Sequence, residues 1–220
     1  FIKQIAMSLI EDVWSNLTRD LPEQKHEWWD KIVANLSQSQ RKYHNLELLQ
    51  FKLYLYQSVK HLIQNTQSME YALFFSYYEY DPRSADSYLK NIEHFKQFAL
   101  DCCVPLESKL VCEVVSLLEC TSSHMTEEHM TAGVVGKLDK HYFLDLDMSV
   151  LGSPPEEYQS YAERVRLEYG FFDKSAYNSL RVKVLQSFLQ IPNIFATEEF
   201  RSRFEDQARK NIQKEISLLV

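Results

Sequence analysis

Met69-Glu70-Tyr71-Ala72-Leu73-Phe74-Phe75-Ser76-Tyr77-Tyr78 is almost wholly apolar or aromatic, and it runs to the turn signal Asp81-Pro82-Arg83. A helix that is apolar all round is a buried one, so this stretch reads as a helix enclosed by others. The flanking sequence supplies them. Ile5, Leu9, Ile10, Val13, Trp14 and Leu17 recur at helical spacing up to Asp20-Leu21-Pro22, where proline disfavours continuation. Trp28, Trp29, Ile32, Val33 and Leu36 mark a second helix, and Leu46, Leu49, Leu53, Val59, Leu62 and Ile63 predict a long third one over 42–64. Further helices are expected over 85–103 and 106–120, the latter with Pro105 leading into its first turn. Residues 126–139 read as a loop or a broken helical stretch. Pro154-Pro155-Glu156-Glu157 opens a helix that Gly170 stops, another spans 175–189, and the last begins near Thr197 with Glu198 and Glu199 in its first turn.

All four glycines (Gly133, Gly136, Gly152, Gly170) fall in one stretch, leaving long windows free of the strongest helix breakers. The fold class is therefore all-α. With 220 residues, 45% of them hydrophobic, the chain can bury a sizeable core, and nothing resembling a linker divides it, so residues 1–220 read as a single helical domain. A net charge of -7 gives no electrostatic footprint for binding a nucleic-acid backbone. Cys102, Cys103, Cys112 and Cys120 lie in apolar, helix-like windows without paired Cys-x-x-Cys spacing, and read as buried free thiols in the cytoplasm or another reducing intracellular compartment. No apolar run approaches the roughly 20 residues needed to span a bilayer, and Phe1-Ile2-Lys3-Gln4 lacks a signal-peptide plan.

Several ordered motifs carry a resemblance. Arg41-Lys42-Tyr43-His44-Asn45-Leu46-Glu47 comes first, then Ala72 to Pro82, then Thr121-Ser122-Ser123-His124. Phe143-Leu144-Asp145-Leu146-Asp147-Met148-Ser149-Val150-Leu151-Gly152 follows, then Arg166-Leu167-Glu168-Tyr169, and Ala208 to Ile216 closes the series. In this order they resemble the predicted metal-dependent phosphohydrolases of the HD superfamily, from about Trp14 to Leu219. The resemblance implies a helical domain in which a His, an adjacent His-Asp pair and a later Asp converge on a divalent metal that activates water. It maps the first His onto His44 and the last acid onto Asp147 or Asp145.

The His-Asp pair falls on Ser76 and Tyr77. A neutral hydroxyl is a feeble ligand, and a phenol has a pKa near ~10, so half of the implied metal shell is missing. Leu48 stands where the family has a second His, and Tyr88 where it has the Glu of Asp-Asn-Glu. Four polar positions replaced by Leu, Ser, Tyr and Tyr imply a filled, largely neutral pocket with no catalytic residue and no cofactor. The implied function is a binding or scaffold module that holds a protein partner or a small ligand in the former active-site cleft. The alternative is a phosphohydrolase acting on a nucleotide or similar small phosphate, with Mn, Fe, Zn or Mg held by His44, His124, Asp145 and Asp147. Against that rebuilt shell, His44 reads as a hydrogen-bonded core histidine, and Asp145 and Asp147 as helix caps or as partners of Arg166 or Arg181. The Tyr77-Tyr78-Glu79-Tyr80 cluster reads as core packing, with base stacking as the other use of such rings.

Overall fold

The computed structural model describes residues 2–220, with side chains from residue 9 onward. Ile5, placed on the first helical stripe by its spacing, lies outside the described side chains. Among the described residues there are eleven α-helices and no strand. None of these helices is long and apolar enough to cross a membrane. The helices group into two compact units, residues 1–123 and 124–220.

The first unit contains α1 (Ile2–Leu17), α2 (Gln24–Leu36), α3 (Leu46–Val59), α4 (Thr66–Phe75), α5 (Ser87–Asp101) and α6 (Lys109–Cys120). The apolar stretch that suggested a buried helix is α4, which packs against α1, α3, α5 and α6. Phe74 and Phe75 are at most 1% exposed. Rings close around them: Trp14 meets Phe74 edge-on at 5.0 Å, and Phe75 meets Phe95 at 5.3 Å and Phe98 at 5.4 Å. Such offset and edge-to-face pairs add to the area that each ring buries.

Two helix starts differ from expectation because a polar side chain captures the helix end. α3 begins at Leu46 instead of Lys42, since the Asn45 side chain accepts from the Glu47 and Leu48 amides. It gives way to a 3-10 turn at Lys60–Leu62 before reaching Gln64. α6 begins at Lys109 instead of Leu106, because Ser108 caps it through the Val111 amide at 3.3 Å. The cysteines also depart from expectation. Only Cys102 is buried; Cys103 and Cys112 are exposed and Cys120 is intermediate, and no disulfide joins them. Cys103 adopts φ 57 just past the end of α5, the left-handed position usually given to glycine.

The second unit contains α7 (Glu127–Met130), α8 (Asp139–Met148), α9 (Pro155–Glu168), α10 (Lys174–Gln190) and α11 (Glu198–Leu219). The broken stretch expected over 126–139 thus holds one short helix. α11 packs on α10 and on the 3-10 turn Ser149–Gly152. Asn211 fixes that turn by donating to the carbonyls of Leu151 (2.9 Å) and Ser153 (2.8 Å). A Cβ at Gly152 would lie 2.5 Å from Phe204 Cβ, so the close approach requires glycine. Arg181 on α10 pairs with Glu215 on α11 at 2.8 Å, and Tyr158 also donates to Glu215.

The α10–α11 connection, residues 191–197, has no regular structure, yet Ile194, Phe195 and Ala196 are at most 1% exposed. Buried backbone polar groups need partners. Here Glu205 accepts from the Ile194 and Phe195 amides, and Arg209 donates to the Ile191 and Pro192 carbonyls. The Asn193 amide donates to the His129 carbonyl.

Candidate functional site

In the first unit, Ser76 and Tyr77, the positions to which the resemblance assigns a His-Asp pair, lie at the C-terminal end of α4. That end carries the negative pole of the helix and unsatisfied carbonyls, and two cations meet it. Arg41, 6% exposed, donates to the carbonyls of Tyr77 and Tyr78 (2.8 Å for Tyr78). Lys52 projects from α3, is 1% exposed, and donates through Nζ to Ser76 Oγ at 3.2 Å. Ser76 in turn donates to the Leu73 carbonyl at 3.1 Å. Its hydroxyl is thereby engaged both as donor and as acceptor. The Lys52 ammonium also lies 5.0 Å from the Tyr77 ring centroid, within cation–π range.

Asn91 of α5 pins the turn that follows. Its side-chain amide donates to the Ser76 carbonyl at 2.8 Å and its oxygen accepts from the Glu79 amide at 2.6 Å. Leu48, Ser76 and Tyr77 come together, with Leu36, Asn45 and Lys52, around a void of ≈ 10 Å³. That is room for about one water. Tyr88, in the first turn of α5, is not among the lining residues.

His44 stands before the Asn45 cap, outside α3, and so does not share a helical face with Leu48. Its ring is half-buried, in an aromatic slot. It stacks on Tyr80 at 3.9 Å and 25°, with Tyr77 at 4.6 Å and Tyr43 at 5.0 Å. Of the tyrosine cluster, Tyr78 is the core member, 5% exposed, while Tyr77 and Tyr80 serve this slot.

The acids of the second unit follow α8. Asp145 is fully buried, and its two carboxylate oxygens are committed: Oδ1 accepts from the Ala196 amide at 2.8 Å, while Oδ2 accepts from the Thr197 amide at 2.8 Å and the Thr197 hydroxyl at 2.6 Å. It closes the N-terminal end of α11. Burial pushes its carboxyl up to about 7, against the opposing pull of the Thr197 hydroxyl and the two amides. Asp147, two residues on, meets His124 instead, with Oδ2 3.2 Å from Nε2. Neither acid pairs with Arg166, which donates to the Tyr169 and Phe172 carbonyls, or with Arg181, which pairs with Glu215.

Two histidines not singled out in the sequence surround Asp145's end of α8. His129 Nδ1 accepts from the Thr126 amide and His141 Nδ1 accepts from the Leu138 amide, each at 3.0 Å. Each ring thus satisfies the amide three residues before it, at the start of its own helix. An Nδ1 that accepts from an amide leaves the ring proton on Nε2 in neutral imidazole. His141 Nε2 lies 3.0 Å from a Glu128 oxygen and His129 Nε2 lies 3.9 Å from Asp145 Oδ1, and both nitrogens are buried without a well-aligned hydrogen bond. Burial, reinforced by His141, lowers the His129 pKa to about 4, and burial also lowers that of His141. The Thr126-x-x-His129 and Leu138-x-x-His141 spacing was the signal available; it matches that of a capping box with His in place of Glu or Gln.

Taken separately, neither unit's donors here suit a divalent metal. In the second unit the imidazoles of His129 and His141 present N–H groups where a ligand would need lone pairs, and Asp145 already accepts three hydrogen bonds; in the first unit an ammonium abuts Ser76 and Tyr77. Among the described residues, no group of three or more His, Cys, Asp and Glu is disposed to hold a metal ion. Comparison of the chain with family models, with curated proteins and with solved structures gave no match.

Proposed function

We propose that this chain is a catalytically degenerate HD-domain-like protein, a binding or scaffold module without metal-dependent phosphohydrolase activity. The observation that carries the reading is the state of the dyad positions. Ser76 is bound to Lys52 and to the Leu73 carbonyl, Tyr77 packs against His44 and Lys52, and about one water fits beside them. Metal-assisted hydrolysis needs a polarising cation and a proton acceptor within reach of the attacking water, and these side chains supply neither.

A partner protein is favoured over a small ligand. The void in the first unit is too small for a nucleotide, whereas α10 of the second unit leaves Leu180 and Val184 each 40% exposed, one helical turn apart. The test is metal analysis of the purified protein, together with hydrolysis of nucleoside phosphates in supplied manganese, magnesium, cobalt or nickel. Far less than one equivalent of metal and background turnover are expected. Metal-dependent turnover that His44→Ala abolishes would establish the rebuilt-shell enzyme instead.

A further inference from the structure

We infer that Lys52 provides the N-terminal unit with a built-in cation in the place that the resemblance assigns to a metal, so that restoring the His-Asp pair alone would not restore metal binding. The inference rests on the degenerate-site reading and adds to it the group that replaced the ion. Lys52 touches both dyad positions: its Nζ donates to Ser76 Oγ at 3.2 Å and lies 5.0 Å from the Tyr77 ring centroid. It is 1% exposed, so water screens its charge poorly.

Two cations compete for one place. A divalent ion entering beside a fixed ammonium is repelled by it, and the void of ≈ 10 Å³ has room for about one water. An Asp placed at 77 would meet Lys52 first and form an ion pair, withdrawing the carboxylate from coordination. A His placed at 76 would receive the hydrogen bond that Ser76 Oγ now receives, which engages the lone pair a metal would need. Lys52 lies four residues after Leu48 on α3, so the two residues share a helical face beside Ser76 and Tyr77.

The experiment compares Mn²⁺ binding, by titration calorimetry, to the wild type, to Ser76→His/Tyr77→Asp, and to the same pair combined with Lys52→Leu. Circular dichroism checks helicity in each. Binding at least tenfold tighter in the triple variant than in the double variant is expected. Equal binding by the double and triple variants overturns the role of Lys52 while leaving the degenerate reading intact. Wild-type binding that His44→Ala removes overturns both, and a folded triple variant that binds no Mn²⁺ overturns the inference.

A second measurement holds if the triple variant does not fold. Ser76→Asp should melt several degrees above Ser76→Asn, and Lys52→Met should reduce that difference, because the Lys52 ammonium favours the carboxylate over the amide. Equal melting temperatures for the Asp and Asn variants overturn the inference.

Discussion

Replacing His129 by Gln should tilt the pH dependence of stability in a direction fixed by the site. The His129 ring titrates near 6.5 when unfolded and at about 4 when buried, so between these values the unfolded chain binds the proton more readily. Stability contributed by the neutral ring is therefore complete above about 6.5 and is lost as the pH falls to about 4, by about 3 kcal/mol. Asp145 acts in the opposite sense. Its carboxyl is raised from 3.8 to about 7, so the folded state binds the proton more readily and stability grows as the pH falls through that window, by about 4 kcal/mol. In the wild type the two slopes oppose each other. Gln at the third helical position can still reach back to the Thr126 amide, so His129→Gln removes the titration and keeps the cap. His141, Glu128, Arg201 and His124, which also act on the ring, are common to both proteins and cancel in the difference. Denaturant unfolding followed by circular dichroism between pH 4 and 7.5 should show the variant gaining about 3 kcal/mol on the wild type between pH 6.5 and 4. Superimposable pH dependences would refute the argument.

Phe75→Ala should cost about 3–5 kcal/mol in denaturant unfolding, as expected for a ring with no exposed surface; a negligible loss would place Phe75 outside the core. Cys103→Gly should raise stability by about 1 kcal/mol, because φ 57 is strained for any side chain and free for glycine, and a lower melting temperature would contradict that backbone geometry. Gly136→Ala should destabilise by about 1–3 kcal/mol, since the new Cβ would lie 2.4 Å from a His141 ring carbon; a variant as stable as the wild type would mean that His141 packs elsewhere.

The all-α class and the buried position of α4 were legible in the sequence because both follow from periodicity and from the scarcity of glycine. Helix starts were less legible. Asn45 and Ser108 set them through single side-chain hydrogen bonds, and an Asn or Ser in a sequence does not announce whether it will cap. Ser76 and Tyr77 were visible as residues, but not the groups that surround them. Lys52 in an amphipathic stretch reads as a solvated lysine, and its burial depends on α4 lying beside α3. The roles of His129 and Asp145 were hidden for a similar reason. Asp145 acts on residues 51 and 52 positions away, a separation that local pattern cannot bridge. His44 gave a motif match without its environment, and the aromatic slot forms only when Tyr77 and Tyr80 fold back upon it.

The connection over 191–197 reverses the usual map of where a chain tolerates engineering. Segments without regular structure are the customary places for a tag, a circular permutation or an inserted domain. Here a string of irregular residues is sewn into its unit by Glu205, Arg209, Asp145 and the His129 carbonyl, each consuming a backbone group that an insertion would displace. A cut or graft there would act as one through the middle of a core helix. The turn at 82–86, where Arg83, Ala85 and Asp86 face solvent, is the more permissive place to open the chain.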